Sequence, residues 1–325
     1  MVNPIKKPAN LVSAGFSHLR SHMFRDGVIR GMPVTVSVEV TNNCNLRCPE
    51  CFSGSGRMTR SRGYMDISLF ERIAEELKPY LIEMSLYFQG ESMLHPDFQL
   101  FPGKSQGIRT TLATNGHFLS PGNAEMLALS GLNKLIVSLD GMDQDIYSEY
   151  RINGDVKDVL NGIRNVSEAI RKSSSQLKLV IQFLVNRLNE NQIAAVRRFA
   201  EEVNASLRLK SMQIINDNAF EKWLPEEKKF RRYELKGNKY SILSRFPDNC
   251  ARMWFNPVIT WDGKVIPCCF DKDAEYVMGD INKGSFREIW TGESYRMFRK
   301  GILSGRKMNS ICRNCTSGLY WKIIR

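Results

Sequence analysis

The chain has 325 residues, of which 42% are hydrophobic and 25% are charged, and this ordinary globular composition suits one large domain or two smaller ones. No apolar run approaches the ~20 residues that cross a bilayer. The basic N-terminal stretch, residues 1–33, lacks the continuous apolar segment and cleavage site of a signal peptide. We therefore expect a cytoplasmic protein without stable membrane insertion. Its N-terminus is expected to be a helical extension, with a transient membrane contact as the weaker interpretation.

The formal net charge of +12 raises the question of a nucleic-acid partner. The basic residues are dispersed, and no basic patch is interleaved with aromatic residues, so nucleic-acid binding is not expected. The densest basic group, residues 228–232, lies in a polar stretch that we interpret as a solvated linker over residues 216–249.

Strand and helix patterns alternate from Val34 to about Ile215, which predicts parallel βα units. The predicted strands cover residues 34–41, 82–88, 108–114, 134–140, 177–185 and 206–215. Three helices are predicted to begin after the cap residues Ser68, Ser120 and Asp155, and a fourth is predicted over roughly residues 191–204. The first pattern ends at Pro79, and Gly131 lies beyond the end of the second helix. Ser68 and Glu71 have the spacing of a capping box at the start of the first helix. Six such strands suit a partial α/β barrel as a core domain over residues 34–215.

The first strand alternates between an apolar and a polar face. Four valines share one face, whereas Ser37, Glu39 and Thr41 share the other. The apolar face is expected to pack against the helices, and the polar face is expected to point into the barrel. Solvated antiparallel strands show the same alternation, but here helices separate the strands. Polar interior side chains indicate a cavity that holds a ligand.

Three cysteines, Cys44, Cys48 and Cys51, follow the first strand at a C-x3-C-x2-C spacing. A closed zinc site or a fully ligated iron-sulfur cluster takes four protein ligands, so a trio on one loop suggests a cluster with one open iron. A zinc knuckle or unrelated core thiols are the alternatives. The chain has eight cysteines and no signal peptide, which favours metal ligation in a reducing cytoplasm over disulfides.

The C-x3-C-x2-C run resembles the signature of radical S-adenosylmethionine (radical SAM) enzymes. The resemblance implies a partial (β/α)6 barrel whose 4Fe-4S cluster binds the amino and carboxylate groups of the cofactor at its unique iron. It also implies that one-electron reduction cleaves the cofactor to a 5'-deoxyadenosyl radical. Members of the family commonly carry an aromatic residue just before the third cysteine, where this chain has Glu50.

The triplet Gln89, Gly90 and Glu91 follows the second predicted strand and resembles the G-G-E motif of the family, with Gln in place of the first Gly. Glycine permits a close approach of the backbone, and a neighbouring carboxylate or carbonyl can accept a hydrogen bond from the cofactor's ammonium group. An ordinary turn is the alternative for such a triplet. By resemblance, the triplet is a candidate for cofactor binding.

Polar residues also follow the third and fourth strands, at the ends where ligands bind in α/β folds. By resemblance, Ser138 and Asp140 are candidates for binding the ribose or methionine portion of the cofactor, and Asn115 is a further candidate. Arg151 belongs to a Y-R pair like one whose Arg contacts the methionine carboxylate in related enzymes, and a guanidinium suits a carboxylate. A surface arginine at the start of a helix is the alternative.

The C-terminal part, residues 250–325, contains the other five cysteines, Cys250, Cys268, Cys269, Cys312 and Cys315. An Asp262-Gly263 turn between short apolar runs predicts a hairpin that brings Cys250 and Cys268 toward each other. Adjacent residues of a strand point to opposite faces, so Cys268 and Cys269 are not expected to ligate one metal together. Zinc is the alternative metal, because four cysteines suit it equally well.

This part resembles the SPASM extension of radical SAM enzymes, beginning with its C and G-x4-C elements at Cys250, Gly263 and Cys268. The resemblance implies one auxiliary 4Fe-4S cluster on Cys250, Cys268, Cys312 and Cys315, with Cys269 as a spare thiol or a replacement for Cys268. Full SPASM domains have a cysteine where this chain has Trp321, which indicates the shortened form called twitch. The layout is similar to that of the radical SAM dehydrogenase acting on an aminocyclitol.

Together these features predict a radical SAM enzyme with S-adenosylmethionine and two 4Fe-4S clusters, which abstracts hydrogen from an unactivated carbon. Oxidation of a carbohydrate-like or other small molecule is the favoured reaction, and a flavodoxin- or ferredoxin-type protein is the expected electron donor. A peptide-modifying maturase is the alternative enzyme, although the ~33 residues before the first strand are too few for a separate leader-peptide domain. A non-enzymatic zinc protein is the alternative outside enzymes.

Overall fold

The structure is a computed structural model that describes residues 5–244, 248–315 and 322–324. Its strands are β1 (Thr35–Val38), β2 (Glu83–Ser85), β3 (Arg109–Thr114), β4 (Lys134–Ser138), β5 (Lys178–Val185), β6 (Ser206–Ser211), β7 (Tyr233–Lys236), β8 (Lys239–Ile242), β9 (Val258–Ile259), β10 (Lys264–Ile266), β11 (Gly279–Asp280) and β12 (Lys322–Ile324). Its helices are α1 (Lys6–Phe24), α2 (Ile67–Leu77), α3 (Leu100–Lys104), α4 (Pro121–Leu129), α5 (Gln144–Tyr150), α6 (Val156–Ser173), α7 (Ile193–Glu202), α8 (Phe220–Trp223), α9 (Arg252–Phe255), α10 (Phe286–Thr291) and α11 (Glu293–Gly305).

The chain forms two compact units that are not continuous in sequence. The first unit consists of residues 1–43, 59–111 and 246–317, and the second consists of residues 44–58, 112–245 and 318–325. The predicted core domain is therefore divided between them. No helix within the described ranges is both long and apolar enough to span a membrane.

The first unit is built on strands in the order β11-β10-β9-β1-β2-β3, of which β3 belongs to this unit through its first three residues. Strands β1, β2 and β3 are parallel, and β9 continues this arrangement on the other side of β1. The hairpin of β9 and β10 is antiparallel, as the Asp262-Gly263 turn predicts, and Gly263 has the positive φ of 85° that the turn requires. This hairpin carries the chain toward Cys268.

The second unit contains β4, β5 and β6, which are parallel neighbours, and β12, which pairs antiparallel with β6. Helix α6 begins at the N-cap Asp155 and buries the stripe Val156, Val159, Ile163 and Val166, as the sequence pattern predicts. Helix α4 has the predicted Ser120 cap with Pro121 in its first turn. All six strands predicted between residues 34 and 215 are therefore present.

One helix start is placed differently from the prediction. The N-cap of α2 is Asp66, whose carboxylate accepts the main-chain N–H groups of Ser68 at 2.7 Å and Leu69 at 3.3 Å. The predicted capping box of Ser68 with Glu71 is wrong, because the helix begins at Ile67 and Ser68 lies within its first turn, where its N–H is capped by Asp66. The helix ends at Leu77, close to the predicted stop at Pro79.

The stretch expected as a linker, residues 216–249, contains α8 and the β7–β8 hairpin in its described part. Phe220, Trp223 and Tyr233 from this stretch are buried in a hydrophobic cluster of the second unit. Widely spaced aromatic residues in a polar background form this small core. Residues 245–247 of the expected linker lie outside the described residues, as do Trp321 and residues 1–4 of the N-terminal extension.

Of the polar residues predicted to share one face of the first strand, Glu39 and Thr41 are buried and Ser37 is half-buried. Glu39 is fully buried and forms a bidentate ion pair with Arg60, at 2.5 and 2.6 Å. The Trp261 main-chain N–H also donates to this carboxylate. Burial nevertheless raises the pKa of Glu39 above its usual value, against the opposing effect of Arg60. The paired Glu39 is therefore a structural element of the first unit.

Candidate active site

The cysteine loop, Cys44–Cys51, lies in the second unit. The three thiols contact one hydrophobic cluster, in which Cys48 is buried and Cys44 and Cys51 are partly buried. The loop is held by a hydrogen bond from the Arg47 N–H to the Ile152 carbonyl at 3.0 Å and by an internal bond from the Cys51 N–H to the Cys48 carbonyl at 3.2 Å. The loop thus gathers three cysteine side chains at the wall of an apolar core.

A charged pair lies beside Cys48. The Arg151 guanidinium contacts one oxygen of Asp140 through Nε at 2.7 Å and Nη2 at 2.6 Å, and its Nη1 lies 3.8 Å from the Cys48 Sγ. Burial raises the pKa of the Cys48 thiol to about 12, and the Arg151 charge opposes part of that rise. Burial disfavours the Arg151 charge, but Asp140 and Cys48 hold the Arg151 pKa well above its usual value. A cation is therefore fixed next to the middle thiol.

Asp140 is nearly inaccessible, and its carboxylate is already occupied by the chain. Its second oxygen accepts the Leu184 N–H at 2.8 Å, and its main-chain carbonyl accepts the Asn189 side-chain amide at 2.9 Å. The resemblance predicts that Asp140 contacts the cofactor and that Arg151 binds its carboxylate. In this structure Asp140 and Arg151 bind each other, and their contacts with the cofactor stay a prediction.

Asn115 lies beside the cysteine loop. Its side-chain amide donates to the Asn45 side-chain oxygen at 2.8 Å, and its own oxygen accepts the His117 N–H at 3.2 Å. Asn45 follows Cys44 directly, so Asn115 is tied to the loop that carries the thiols. Ser138, the last residue of β4, is half-buried. Asn115, Ser138, Asp140 and Arg151 all belong to the same unit as the three cysteines.

The triplet Gln89, Gly90 and Glu91 lies in the first unit and packs on the residues just before Cys44. Gly90 has a φ of 79°, and a Cβ atom there would lie 2.6 Å from the Asn42 carbonyl carbon, so that only glycine fits. The Glu91 N–H donates to the Asn43 carbonyl at 2.7 Å. The Glu91 carboxylate is buried and accepts the Met93 N–H at 3.1 Å, which caps the following turn. The glycine requirement thus comes from backbone packing.

Glu50 occupies the position before the third cysteine, where an aromatic residue is common in the family that the loop resembles. The structure shows what the Glu50 side chain contacts. Its buried carboxylate accepts the main-chain N–H groups of Ile215 at 2.5 Å and Asn216 at 3.0 Å. These two residues follow β6, so Glu50 links the cysteine loop to the far end of the parallel strands of the second unit. Sequence reasoning noted the departure at position 50 but not this contact.

The four cysteines proposed for the auxiliary cluster, Cys250, Cys268, Cys312 and Cys315, are all buried in the first unit. Burial raises the pKa of the Cys268 thiol, and the neighbouring Cys269 and then Cys250 and Cys315 raise it further. Burial also raises the pKa of the Cys312 thiol, with smaller contributions in the same direction from Cys250 and Cys315. Cys269 is only partly buried, whereas Cys268 is 5% exposed and its sulfur accepts the Phe270 N–H at 3.4 Å. Four buried thiols in one unit suit the ligands of a closed cluster.

Two arginines lie among these thiols, and sequence reasoning missed both. Arg306 is 1% exposed, and its Nη2 lies 3.0 Å from the Cys315 Sγ. Burial disfavours its charge, but Cys250 and Cys315 raise its pKa overall. Arg252 is likewise held with a raised pKa, chiefly by Cys269 and then, after the opposing effect of burial, by Cys268. Both arginines lie within nine positions of a proposed cysteine ligand in the sequence, and this closeness could have marked them as candidates.

Within the described residues, no three His, Cys, Asp or Glu side chains form a group that could hold a single metal ion. The cysteines of a 4Fe-4S cluster each bind a different iron atom, so their sulfurs need not converge on one point. The donor set is the one that iron-sulfur clusters use: thiols in apolar surroundings with cations beside them. The residues present therefore fit the two clusters.

Comparison with known proteins identifies the family. The sequence pattern of the Radical SAM superfamily matches residues 38–200, and that of the iron-sulfur cluster-binding domain SPASM matches residues 250–316. The chain belongs to the radical SAM superfamily. It is a member of the SPASM/twitch subgroup and an enzyme of this family, and its cofactors are S-adenosylmethionine and two 4Fe-4S clusters.

One similar protein is the S-adenosyl-L-methionine-dependent 2-deoxy-scyllo-inosamine dehydrogenase of Niallia circulans, which is 25% identical over 289 residues covering 87% of this chain and 92% of that protein. The crystal structure of BtrN in complex with AdoMet and 2-DOIA superposes with a TM-score of 0.57 at 19% identity, over 91% of this chain and 100% of that chain. Streptococcus suis SuiB bound to S-adenosylmethionine gives a TM-score of 0.65 at 15% identity, over 96% and 78%. These likenesses confirm the predicted fold class, α/β of the radical SAM type with a C-terminal iron-sulfur region.

Proposed function

We propose that this radical SAM enzyme oxidises a hydroxyl-bearing carbon of a carbohydrate-like small molecule to a carbonyl. When bound, S-adenosylmethionine and the first cluster supply a radical that takes a hydrogen atom from an unactivated carbon, and the auxiliary cluster supplies an acceptor for the second electron that the substrate loses. The hydroxyl proton leaves to a base or to water, which completes the two-electron oxidation. The observation that carries the proposal is the pair of arginines at the auxiliary cysteines.

The cysteine loop of the second unit would serve the cleavage of the cofactor. Cys44, Cys48 and Cys51 would bind the first cluster, and the coordinated thiols would be deprotonated by the metal despite the high pKa of the free Cys48 thiol. Arg151, oriented by Asp140, would keep a positive charge beside that cluster and offer N–H donors to a bound carboxylate. Apolar residues packed around the loop would exclude water and oxygen.

The auxiliary cysteines of the first unit would hold the group that accepts the electron. Cys250, Cys268, Cys312 and Cys315 would bind the auxiliary cluster, with Arg306 donating to the Cys315 sulfur and Arg252 nearby. Reduction adds a negative charge to a cluster, so buried cations and hydrogen bonds to its sulfurs favour the reduced state and raise the potential. Arginines in these positions support an electron-accepting role over a purely structural one. A zinc ion bound by the same thiols could not accept this electron, because zinc has no redox chemistry.

The named relative supports the same class of reaction, since it is a dehydrogenase of an aminocyclitol by its name. We further propose that a flavodoxin- or ferredoxin-type protein reduces the first cluster and that the enzyme works in the cytoplasm. A peptide-modifying role remains the competing function. In that role the hydrogen atom would be removed from a peptide, whereas in the proposed function it is removed from a small molecule.

The experiment uses the anaerobically reconstituted enzyme, a strong reductant and a panel of cyclitols and hexoses carrying deuterium on each carbinol carbon, with 2-deoxy-scyllo-inosamine included. We expect one member to transfer deuterium to 5'-deoxyadenosine and to yield one carbonyl product per 5'-deoxyadenosine. Deuterium transfer from a labelled peptide with none from the panel would contradict the proposal.

A second measurement isolates the electron-accepting role. In Arg306→Gln, the midpoint potential of the auxiliary cluster, followed by magnetic resonance during a redox titration, is expected to fall by about 60 mV, which corresponds to the ~1.4 kcal/mol of a weakened charged hydrogen bond. Arg313→Gln is the matched control, because Arg313 is exposed and lies next to Cys312 in sequence. Equal midpoint potentials in the wild type and Arg306→Gln would contradict the proposal that Arg306 favours the reduced state of the auxiliary cluster.

A further inference from the structure

Helix α1 attaches to the first unit through small and polar side chains. Asn10, Ala14, Ser17 and Ser21 recur on one face and are all buried. The Asn10 side chain exchanges two hydrogen bonds with the Met32 main chain, at 2.7 and 3.0 Å. The Ser17 hydroxyl accepts the Arg30 N–H at 3.0 Å, and the Ser21 hydroxyl donates to the Val28 carbonyl at 3.1 Å. These specific bonds fix which face of the helix points inward.

The opposite face of α1, which we call the outer face, consists of Val12, Phe16, Leu19 and Met23. They follow the i, i+4, i+7, i+11 spacing of one helical stripe. Their exposed fractions are 71%, 58%, 66% and 75%. A surface helix ordinarily buries its large apolar side chains and exposes its polar ones. The amphipathicity of α1 is therefore inverted.

The sequence of α1 would also allow the helix to bury its large apolar side chains. A rotation of about half a turn would bury the four large side chains, but it would break the hydrogen bonds of Asn10, Ser17 and Ser21. A continuous apolar stripe on a monomer marks a surface that meets another apolar phase. The outer face thus has the character of a docking surface.

The charges around the outer face indicate what meets it. Helix α1 contains no acidic residue, and its ends carry the exposed basic residues Lys6 and Arg25, with Arg30 beyond. Arg20 pairs with Asp26, the one acid next to the helix C-terminus in sequence. In a two-fold pairing of two copies through this face, the basic ends would approach one another and repel. An anionic surface would instead attract them.

We propose that the outer face of α1 binds the surface of a membrane that contains anionic phospholipids. The four apolar side chains would enter the boundary between headgroups and acyl chains, while Lys6, Arg25 and Arg30 would contact the phosphates. The helix would lie in the plane of the surface and would not cross the bilayer. This inference is independent of the proposed oxidation, because it rests on no residue of the candidate active site.

The test measures sedimentation of the full-length reconstituted enzyme with vesicles of phosphatidylcholine containing about 30% phosphatidylserine. The wild type is expected to bind these vesicles and to bind pure phosphatidylcholine vesicles more weakly, with the difference shrinking as salt screens the charges. Phe16→Ser and Leu19→Ser are each expected to lower the partition coefficient about tenfold or more. Arg25→Gln is expected to weaken binding to the anionic vesicles only.

Leu129→Ser is the matched control, because Leu129 on α4 has the same exposed fraction of 66% as Leu19. It is expected to bind vesicles as the wild type does. The proposal is overturned if the wild type does not sediment with anionic vesicles or if Leu19→Ser and Leu129→Ser bind equally. It is also overturned if sedimentation velocity shows a wild-type dimer that Leu19→Ser dissociates, since the face would then bind a second copy.

Discussion

Replacing Glu50 tests whether its carboxylate holds the segment after β6 to the cysteine loop. In Glu50→Ala, the N–H groups of Ile215 and Asn216 lose a carboxyl oxygen acceptor that lies at 2.5 and 3.0 Å in the wild type. Hydrogen bonds to charged groups contribute about 1.5–3 kcal/mol each. Since ~1.4 kcal/mol corresponds to a factor of ten, each amide should become about 10 to 150 times easier to expose.

The assay is hydrogen exchange measured by mass spectrometry on the peptide that contains Ile215 and Asn216. Glu50→Gln retains a neutral oxygen acceptor, so its exchange is expected to lie between those of the wild type and Glu50→Ala. Glu149→Ala is the matched control, because the exposed ion pair of Glu149 with Lys222, at 2.7 Å, is of the kind that contributes at most about 1 kcal/mol. Wild-type exchange rates in Glu50→Ala would refute the proposed link.

Two further predictions concern the proposed ligands. Arg151→Ala is expected to weaken S-adenosylmethionine binding by about 1.5–3 kcal/mol in equilibrium dialysis, because it removes charged donors; an unchanged dissociation constant in the folded variant would place Arg151 outside the cofactor site. In a background lacking Cys44, Cys48 and Cys51, Cys268→Ser is expected to lose the remaining cluster by iron analysis and magnetic resonance, whereas Cys269→Ser keeps it. The reverse result would exchange the two assignments, and zinc in place of iron would rule out the auxiliary cluster.

The parallel strands were predictable because their signals are local. A period of two within each strand, caps such as Asp155 and Ser120, and the Asp262-Gly263 turn all lie within a few residues of the element that they define. The start of α2 was misplaced by this reasoning, since Asp66 and Ser68 are both acceptable caps and only the geometry selects the carboxylate.

Contacts between residues distant in sequence could not be predicted in the same way. Glu50 and Ile215 are 165 positions apart in the sequence, and no local sequence pattern at either residue predicts their hydrogen bond. Arg306 and the Cys315 sulfur are separated by only nine positions, yet their contact depends on how the chain turns after α11. The stretch of residues 216–249 was interpreted as a linker from its average polarity. That average is little affected by a few widely spaced aromatic residues, although these are buried in the structure.

The candidate site was predicted from cysteine spacing, but the hydrogen bonds that its polar residues make within the chain were not. Asp140 and Arg151 were singled out as separate contacts to the cofactor, whereas the structure pairs them at 2.6–2.7 Å next to Cys48. Glu91 was singled out for its carboxylate, which instead caps its own turn. A sequence motif can show which residues belong to a site. It is a poorer guide to the atom that each of these residues contacts.

The most direct test of the account combines iron content with cofactor cleavage in one preparation. Anaerobically reconstituted enzyme is expected to contain about eight irons, for two 4Fe-4S clusters, and to form 5'-deoxyadenosine under a strong reductant. Replacing Cys44, Cys48 and Cys51 with Ala is expected to leave about four irons and to abolish 5'-deoxyadenosine formation. Fully iron-loaded wild-type enzyme that never forms 5'-deoxyadenosine would contradict the account.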